Sequence, residues 1–247
     1  MKLSIKVIFW LSLFVAVVAA PIVILILQPG TEGREFWREF SVALGFAGIA
    51  LMGMQFIPTA RITFIANVFP VDALYTFHHR VSIAGFIMGL AHPLILFVVN
   101  PYTIRLLNVV EAPWRARAAV VGVLIFILLV VTSVWRLDMK INYELWRGIH
   151  SLSAVLAAGL VLFHMFRVNN YMAYPPQRIY WFVMAGVWLV GAAYVRVLRP
   201  LRLRARPYRV AEVEGRRDET WMLAVEPDGH KGFEYKAGQF AWVTAHD

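Results

Sequence analysis

Six long runs of apolar residues, separated by short polar, proline- or glycine-containing segments, occupy most of the chain. The runs cover residues 5–27, 40–57, 77–99, 118–135, 146–168 and 179–198. A helix needs about 20 apolar residues to cross the hydrocarbon core of a bilayer, and each run approaches or exceeds that length. The pattern therefore predicts an all-α membrane protein built as a bundle of six transmembrane helices.

The first run has an alternative interpretation as a signal peptide. Lys2 and Lys6 precede the apolar residues, and Ala19-Ala20 resembles a cleavage site. The run is longer than the apolar core of about 7–15 residues that signal peptides have. We therefore expect it to be a retained span.

After about residue 206 the long apolar runs give way to short alternating stretches. Those at 208–213, 220–225, 233–235 and 239–243 predict β-strands, with Pro227-Asp228-Gly229 as a turn. A sheet of about 40 residues is not stable alone. We therefore predict a membrane domain at 1–203, followed at 204–247 by the incomplete start of a soluble β-barrel, inside which the chain is truncated.

Composition narrows the class of protein. Of the 247 residues, 60% are hydrophobic and 16% charged, whereas soluble domains average about 45–50% and about 25%. An ordinary soluble enzyme and a disordered chain are therefore excluded. A formal net charge of +9 can indicate nucleic-acid binding, but membrane proteins concentrate such charge in cytoplasmic loops beside lipid. We therefore predict no nucleic-acid partner.

Basic residues also predict the orientation. Beyond the last run lie six arginines with no acidic residue among them: Arg196, Arg199, Arg202, Arg204, Arg206 and Arg209. The positive-inside rule places this end in the cytoplasm, and six crossings return the N-terminus to the same side. We expect an integral, multi-pass protein of the bacterial inner (plasma) membrane.

The sequence contains no cysteine. Disulfides, thiolate metal sites, iron–sulfur clusters and covalently attached haem are therefore excluded. A redox cofactor in this chain would have to be held by histidine or by non-covalent contacts.

Histidines recur at membrane depth in the third and fifth runs, at His78, His79, His92, His150 and His164. His78 and His92 are 14 residues apart, as are His150 and His164. At about 100° and 1.5 Å per residue, each such pair shares one helix face, with about 21 Å between its members. The third and fifth spans run in the same direction. His78 can therefore meet His150 near the cytoplasmic side, and His92 can meet His164 near the outside.

Two histidines that face each other across a helix gap can be the axial ligands of a b-type haem. The two levels therefore predict two haems stacked across the bilayer. Packing alone or a proton-relay transporter are the alternative interpretations, since single buried histidines commonly serve those roles. A transition-metal site would need its ligands at one depth.

His79 competes with His78 for the cytoplasmic level. The 13 residues from His79 to His92 leave these two side chains about 140° out of alignment on a straight helix. Pro93 could distort the helix and favour His79 instead. We expect His78 to be the ligand.

Three arginines lie close to the histidines along the chain. Arg80 and Arg147 are within three residues of the cytoplasmic pair, and Arg167 is three residues after His164. We expect them to contact haem propionates, which are negatively charged. The alternative is that these side chains extend to lipid headgroups.

The histidine motifs resemble the ferric reductase-like transmembrane family, which includes NADPH oxidases and plant and yeast iron reductases. The matching segments are Phe77-His78-His79-Arg80-Val81-Ser82, Ala91-His92-Pro93, Trp146-Arg147-Gly148-Ile149-His150 and Phe163-His164. The resemblance implies two haems between the third and fifth of six spans. Residues 235–240, YKAGQF, are similar to the strand that opens a ferredoxin-reductase-type FAD-binding barrel, which a nicotinamide-binding domain follows.

The resemblance further implies electron transfer from cytoplasmic NAD(P)H, through FAD and two b haems, to a small acceptor outside the membrane, either dioxygen or a ferric chelate. The Arg-x-Tyr-Ser/Thr flavin motif and the later glycine-rich segment are absent from this sequence. We therefore expect these 247 residues to hold haem but neither FAD nor NAD(P)H. A haem b subunit that relays electrons to a partner protein or quinone is the alternative enzyme interpretation.

Overall fold

A computed structural model gives the fold of residues 4–28, 34–60, 62, 65, 68–217 and 219–234. The chain divides into two compact units, Met1–Ala192 and Ala193–Asp247. The domain division predicted at 203/204 stays a prediction.

Six long helices follow one another along the chain. They are α1 (Ile5–Ile26), α2 (Phe36–Met54), α3 (Val71–Val99), α4 (Trp114–Val134), α5 (Tyr143–Val168) and α6 (Pro175–Ala193). Over the stretches that the structure covers, all six belong to segments long and apolar enough to cross a membrane. The prediction of six spans is confirmed.

The helix ends follow local sequence rather than the limits of the apolar runs. α3 begins at Val71, six residues before the predicted start, with Asp72 in its first turn, where a carboxylate favours the helix dipole. The Asn142 side chain accepts hydrogen bonds from the first turn of α5. α6 starts on Pro175, since proline is tolerated in a first helical turn.

The buried core of the first unit lies among α1, α2, α5 and α6. Its largest members are Trp181 and Trp188 of α6, which pack against Phe46 and Met54 of α2. Tyr180 donates a hydrogen bond to the carbonyl oxygen of Val17 in α1, at 2.8 Å. These contacts place the apolar centre away from most of α3, of which only Gly85 is buried.

Small residues bring α2 and α3 together. A Cβ on Gly48 would lie 2.7 Å from the backbone nitrogen of Gly89 and 2.8 Å from the carbonyl oxygen of Gly85, so the two backbones touch there. Close approach through small residues is the usual way that helices associate in lipid.

The two histidine-bearing helices pack against different partners. α3 packs mainly on α2 and α5 mainly on α4, whereas α3 and α5 share few direct backbone contacts. Helix pairs α2–α3 and α4–α5 therefore stand side by side, with the histidine faces between them.

The second unit contains a π-helical turn, Tyr194–Leu198, and a short helix, α7 (Arg199–Arg204). Two antiparallel strands follow, β1 (Tyr208–Gly215) and β2 (Trp221–Pro227), with an irregularity in register between Val210 and Glu212. Strands are thus present at two of the predicted places, and a turn follows at Gly229, where φ is 71°.

The third predicted strand does not form at Phe233 and Glu234, which have no regular structure. Gly232 has a φ of 75°, which turns the chain so that the Phe233 ring lies 5.8 Å from the ring of Tyr208. Tyr235 and the predicted strand at 239–243 lie outside the described residues. A hairpin of two strands does not establish a barrel.

Candidate functional site

The N-terminal histidines of α3 and α5 come together. The ring centroids of His78 and His150, here called the first pair, are 6.4 Å apart, with their planes at 69°. Both side chains are partly buried, whereas His79 is exposed. The structure therefore brings His78, and not His79, against His150.

Ser133, near the end of α4, fixes the tautomer of His150. Its hydroxyl oxygen lies 3.1 Å from His150 Nδ1 and also donates to the carbonyl oxygen of Leu129, at 2.5 Å. A hydroxyl has one hydrogen to donate, so towards the imidazole it can only accept. The hydrogen of a neutral His150 is therefore on Nδ1, and Nε2 carries the lone pair.

Backbone carbonyls fix the tautomers of the C-terminal histidines, His92 and His164, here called the second pair. His92 Nδ1 lies 2.9 Å from the carbonyl oxygen of Ser41 in α2, and His164 Nδ1 lies 2.8 Å from that of Arg115 in α4. Because a carbonyl only accepts, both Nδ1 atoms donate. His92 and His164 are also close enough to interact electrostatically.

These hydrogen bonds suit His92, His150 and His164 to metal ligation. Metal-binding histidines usually donate one ring N–H to a carbonyl or other acceptor and bind with the other nitrogen. His78 differs, because its Nδ1 is buried without a hydrogen-bond partner among the residues with described positions. The same residues include no group of three or more His, Cys, Asp or Glu side chains that could hold an ion. Among these residues the candidate donors are therefore two separate pairs of imidazoles, which fits a haem held by two histidines at each level.

The three predicted propionate-binding arginines are exposed near the same helix ends. Arg80 and Arg167 are exposed, and Arg147 lies 2.6 Å from the carboxylate of Glu144, with both side chains more than half exposed. An exposed ion pair contributes only about 0–1 kcal/mol, so that contact is readily exchanged. Their role stays a prediction.

The sequence analysis did not identify three residues that lie beside the histidine rings. These are Ser133, Trp146, whose ring centroid lies 5.0 Å from that of His150, and Gly45, where a Cβ would lie 3.2 Å from His92 Cγ. The available signal for Ser133 was the polar pair Thr132-Ser133 in an otherwise apolar span. Trp146 was noted only as the first residue of the motif that ends at His150, and Gly45 carried no signal.

A polar contact ties α2 to the connection between α5 and α6. The Tyr171 hydroxyl donates to the Glu39 carboxylate, with oxygen distances of 2.7 and 2.8 Å, and the Arg34 guanidinium lies 5.6 Å from the Tyr171 ring centroid. Burial raises the pKa of the Tyr171 phenol above its ordinary value, and the hydrogen bond and charge of Glu39 raise it further. Glu39 is two residues from Ser41, so this contact supports the segment of α2 that bonds to His92.

The comparison with protein families finds one match, which covers most of the histidine-bearing segments. Residues 44–161 match the family described as "Ferric reductase like transmembrane component", a stretch that includes His78, His92 and His150 and ends three residues before His164. None of the curated proteins matches the chain. Six apolar helices and this match make the protein an integral, multi-pass membrane protein, with the electron-transfer chemistry that the family indicates. Over residues 44–161 the protein therefore carries a domain of the ferric reductase-like transmembrane family.

Proposed function

We propose that this protein is a transmembrane oxidoreductase that passes electrons from NAD(P)H and FAD on the cytoplasmic side to a small acceptor outside. In this proposal one b-type haem is held by His78 and His150, and a second by His92 and His164. The cytoplasmic donor is an FAD- and NAD(P)H-binding dehydrogenase domain, and the membrane is the bacterial inner membrane with both termini in the cytoplasm.

The main support is the state of the imidazoles. Three of the four histidines have an acceptor at Nδ1, which leaves the Nε2 lone pair for a metal. All four lie in membrane-crossing segments, where an ionisable group without a function is costly. Packing alone explains buried histidines singly, but it does not explain two pairs on the same two helices.

The helix arrangement supports the same reading. α2 and α4 each supply an acceptor from outside the histidine helices and so hold the rings of α3 and α5 in fixed orientations. Because α3 and α5 share few backbone contacts, a flat group held between their histidines would not have to separate two packed backbones.

A haem held by each pair of histidines would supply one-electron transfer. The chain's own residues would bind the porphyrin, orient it and exclude water. Arg80 and Arg147 would offer cations to propionates near the first pair, and Arg167 would do so near the second. The external acceptor would be a small molecule, either dioxygen or a ferric chelate.

A dithionite-reduced minus oxidised absorbance spectrum of the purified chain, with haem counted as the pyridine haemochrome, tests the proposal. We expect sharp b-type bands and two haems per chain. His164→Ala should lose one haem, whereas His230→Ala should lose none, because His230 is in the second unit and bonds to the carbonyl of Pro207. A colourless protein, produced with haem available, would overturn the proposal and favour proton transport.

A further inference from the structure

We propose that Ser133 is a positioning residue that tunes the redox potential of the haem held by the first pair. Its hydroxyl accepts the Nδ1 hydrogen of His150 and thereby sets the orientation and basicity of that ligand. This inference rests on the proposed function, since it concerns the same two haems.

The two pairs differ in how their Nδ1 atoms are satisfied. Both acceptors of the second pair are backbone carbonyls, those of Ser41 and Arg115, which no side-chain substitution removes. In the first pair the His150 acceptor is a side-chain hydroxyl, and His78 Nδ1 has no hydrogen-bond partner in the described part of the chain. A single side-chain substitution, at Ser133, can therefore alter the hydrogen bonding of the first pair.

The direction of the effect follows from ligand basicity. An acceptor on Nδ1–H increases the electron density at Nε2 and makes the imidazole a stronger donor. Ferric iron carries one more positive charge than ferrous iron, so a stronger donor stabilises the ferric state and lowers the reduction potential. Loss of the Ser133 hydroxyl should therefore make the potential of that haem more positive.

The neighbouring residue Thr132 is a control for a purely structural role of Ser133. Thr132 donates to the carbonyl oxygen of Leu128, four residues earlier, at 2.7 Å, as Ser133 does to Leu129. Both hydroxyls therefore satisfy the same kind of intrahelical bond, and Ser133 additionally contacts His150. Thr132→Ala removes the intrahelical bond alone, whereas Ser133→Ala removes both.

The test is a spectroelectrochemical titration of both haems in the full chain, with the electron paramagnetic resonance spectrum of the ferric protein as a second readout. We expect Ser133→Ala to keep two haems and to move one midpoint potential to a more positive value. The expected change in the reduction equilibrium is at least twofold, or about 18 mV at 59 mV per tenfold for one electron. Thr132→Ala should leave both potentials unchanged, and Ser133→Thr, which keeps the hydroxyl, should restore the original value.

Two further variants keep every outcome informative. Ser133→Cys keeps a similar volume with a weaker acceptor, so it should shift the potential the same way even if Ser133→Ala fails to fold. In a His164→Ala chain, which retains only the first pair, Ser133→Ala should shift the remaining potential. Unchanged potentials and resonance spectra in the Ala and Cys variants, or a shift at the second pair only, would overturn the inference while leaving the haems in place. A wild-type chain without haem would instead overturn the proposed function.

Discussion

The imidazole of His92 in α3 donates its Nδ1 hydrogen to the carbonyl oxygen of Ser41 in α2, at 2.9 Å. One helical turn further along α2, Gly45 leaves room for the same ring, because a Cβ there would lie 3.2 Å from His92 Cγ. α2 thus provides both the acceptor and the space for this imidazole, although it carries no histidine itself.

Gly45→Ala should weaken haem binding by the second pair while leaving the first pair intact. The added methyl group forces the His92 ring to move by a few tenths of an ångström, which strains its bond to Ser41. Alanine also favours the helix by about 1 kcal/mol, so overall stability should not fall. The rate of haem loss to a scavenger protein measures the effect. Gly159→Ala in α5 is the control, since nothing lies within 4 Å of its new Cβ, and equal rates in the two variants would contradict the prediction.

His78→Ala should cost more haem than His79→Ala. His78 faces His150 with 6.4 Å between ring centroids, whereas the His79 side chain is exposed. We expect one haem per chain in the first variant and close to two in the second, counted as the pyridine haemochrome. The reverse result would assign the ligand to His79.

Gly48→Ala should destabilise the α2–α3 pair. The new methyl group would meet backbone atoms at 2.7–2.8 Å, and backbone cannot move aside as a flexible side chain can. Overpacking of this kind costs about 1–3 kcal/mol, which thermal unfolding in detergent can detect. Gly89→Ala, at the same interface, is the matched control because its Cβ would approach only the end of the Met52 side chain, at 3.4 Å. A melting temperature for Gly48→Ala no lower than that of the control would refute this account of the interface.

Tyr171→Phe should lower stability at neutral pH by about 1 kcal/mol, a magnitude typical of a partly exposed hydrogen bond to a charged group. Burial and Glu39 raise the pKa of the Tyr171 phenol in the folded state. Its contribution is therefore complete below the ordinary phenol pKa of about 10 and is lost as pH rises through the raised folded-state value.

The wild-type melting temperature should accordingly fall faster than that of Tyr171→Phe above pH 10, and the two curves should converge. Tyr174→Phe removes a hydroxyl from the same connection and serves as the control, since the Glu39 contact is left intact. Parallel curves for wild type and Tyr171→Phe across pH 8–11 would show that the Glu39 contact contributes nothing.

The spans could be predicted because the bilayer imposes a length on each apolar run. The spans predicted at 77–99 and 146–168 end at the same residues as the observed helices. The helices begin earlier, at Val71 and Tyr143, because polar residues extend them beyond the apolar stretch. The angular argument for His78 over His79 also agrees with the position of each side chain, since it depends only on helix geometry.

The partners of the histidines could not be predicted in the same way. The acceptors for His92 and His164 are backbone carbonyls of neighbouring helices, and every residue has such a carbonyl. Which one lies opposite a ring depends on how two helices pack. The expected strand at 233–235 was wrong at Phe233 and Glu234 for a related reason, because a strand requires a partner that local alternation does not specify.

The separation of the α2–α3 and α4–α5 pairs has a consequence for biosynthesis. His78 and His150 are 72 residues apart in the chain (150 − 78), a length that a ribosome adds in roughly 4–14 s at about 5–20 residues per second. The first helix pair therefore enters the membrane with its imidazoles unmatched, and any group shared with α5 can be captured only after α5 has been inserted. Cofactor supply would thus act as a late checkpoint in maturation, on a chain that is already membrane-embedded.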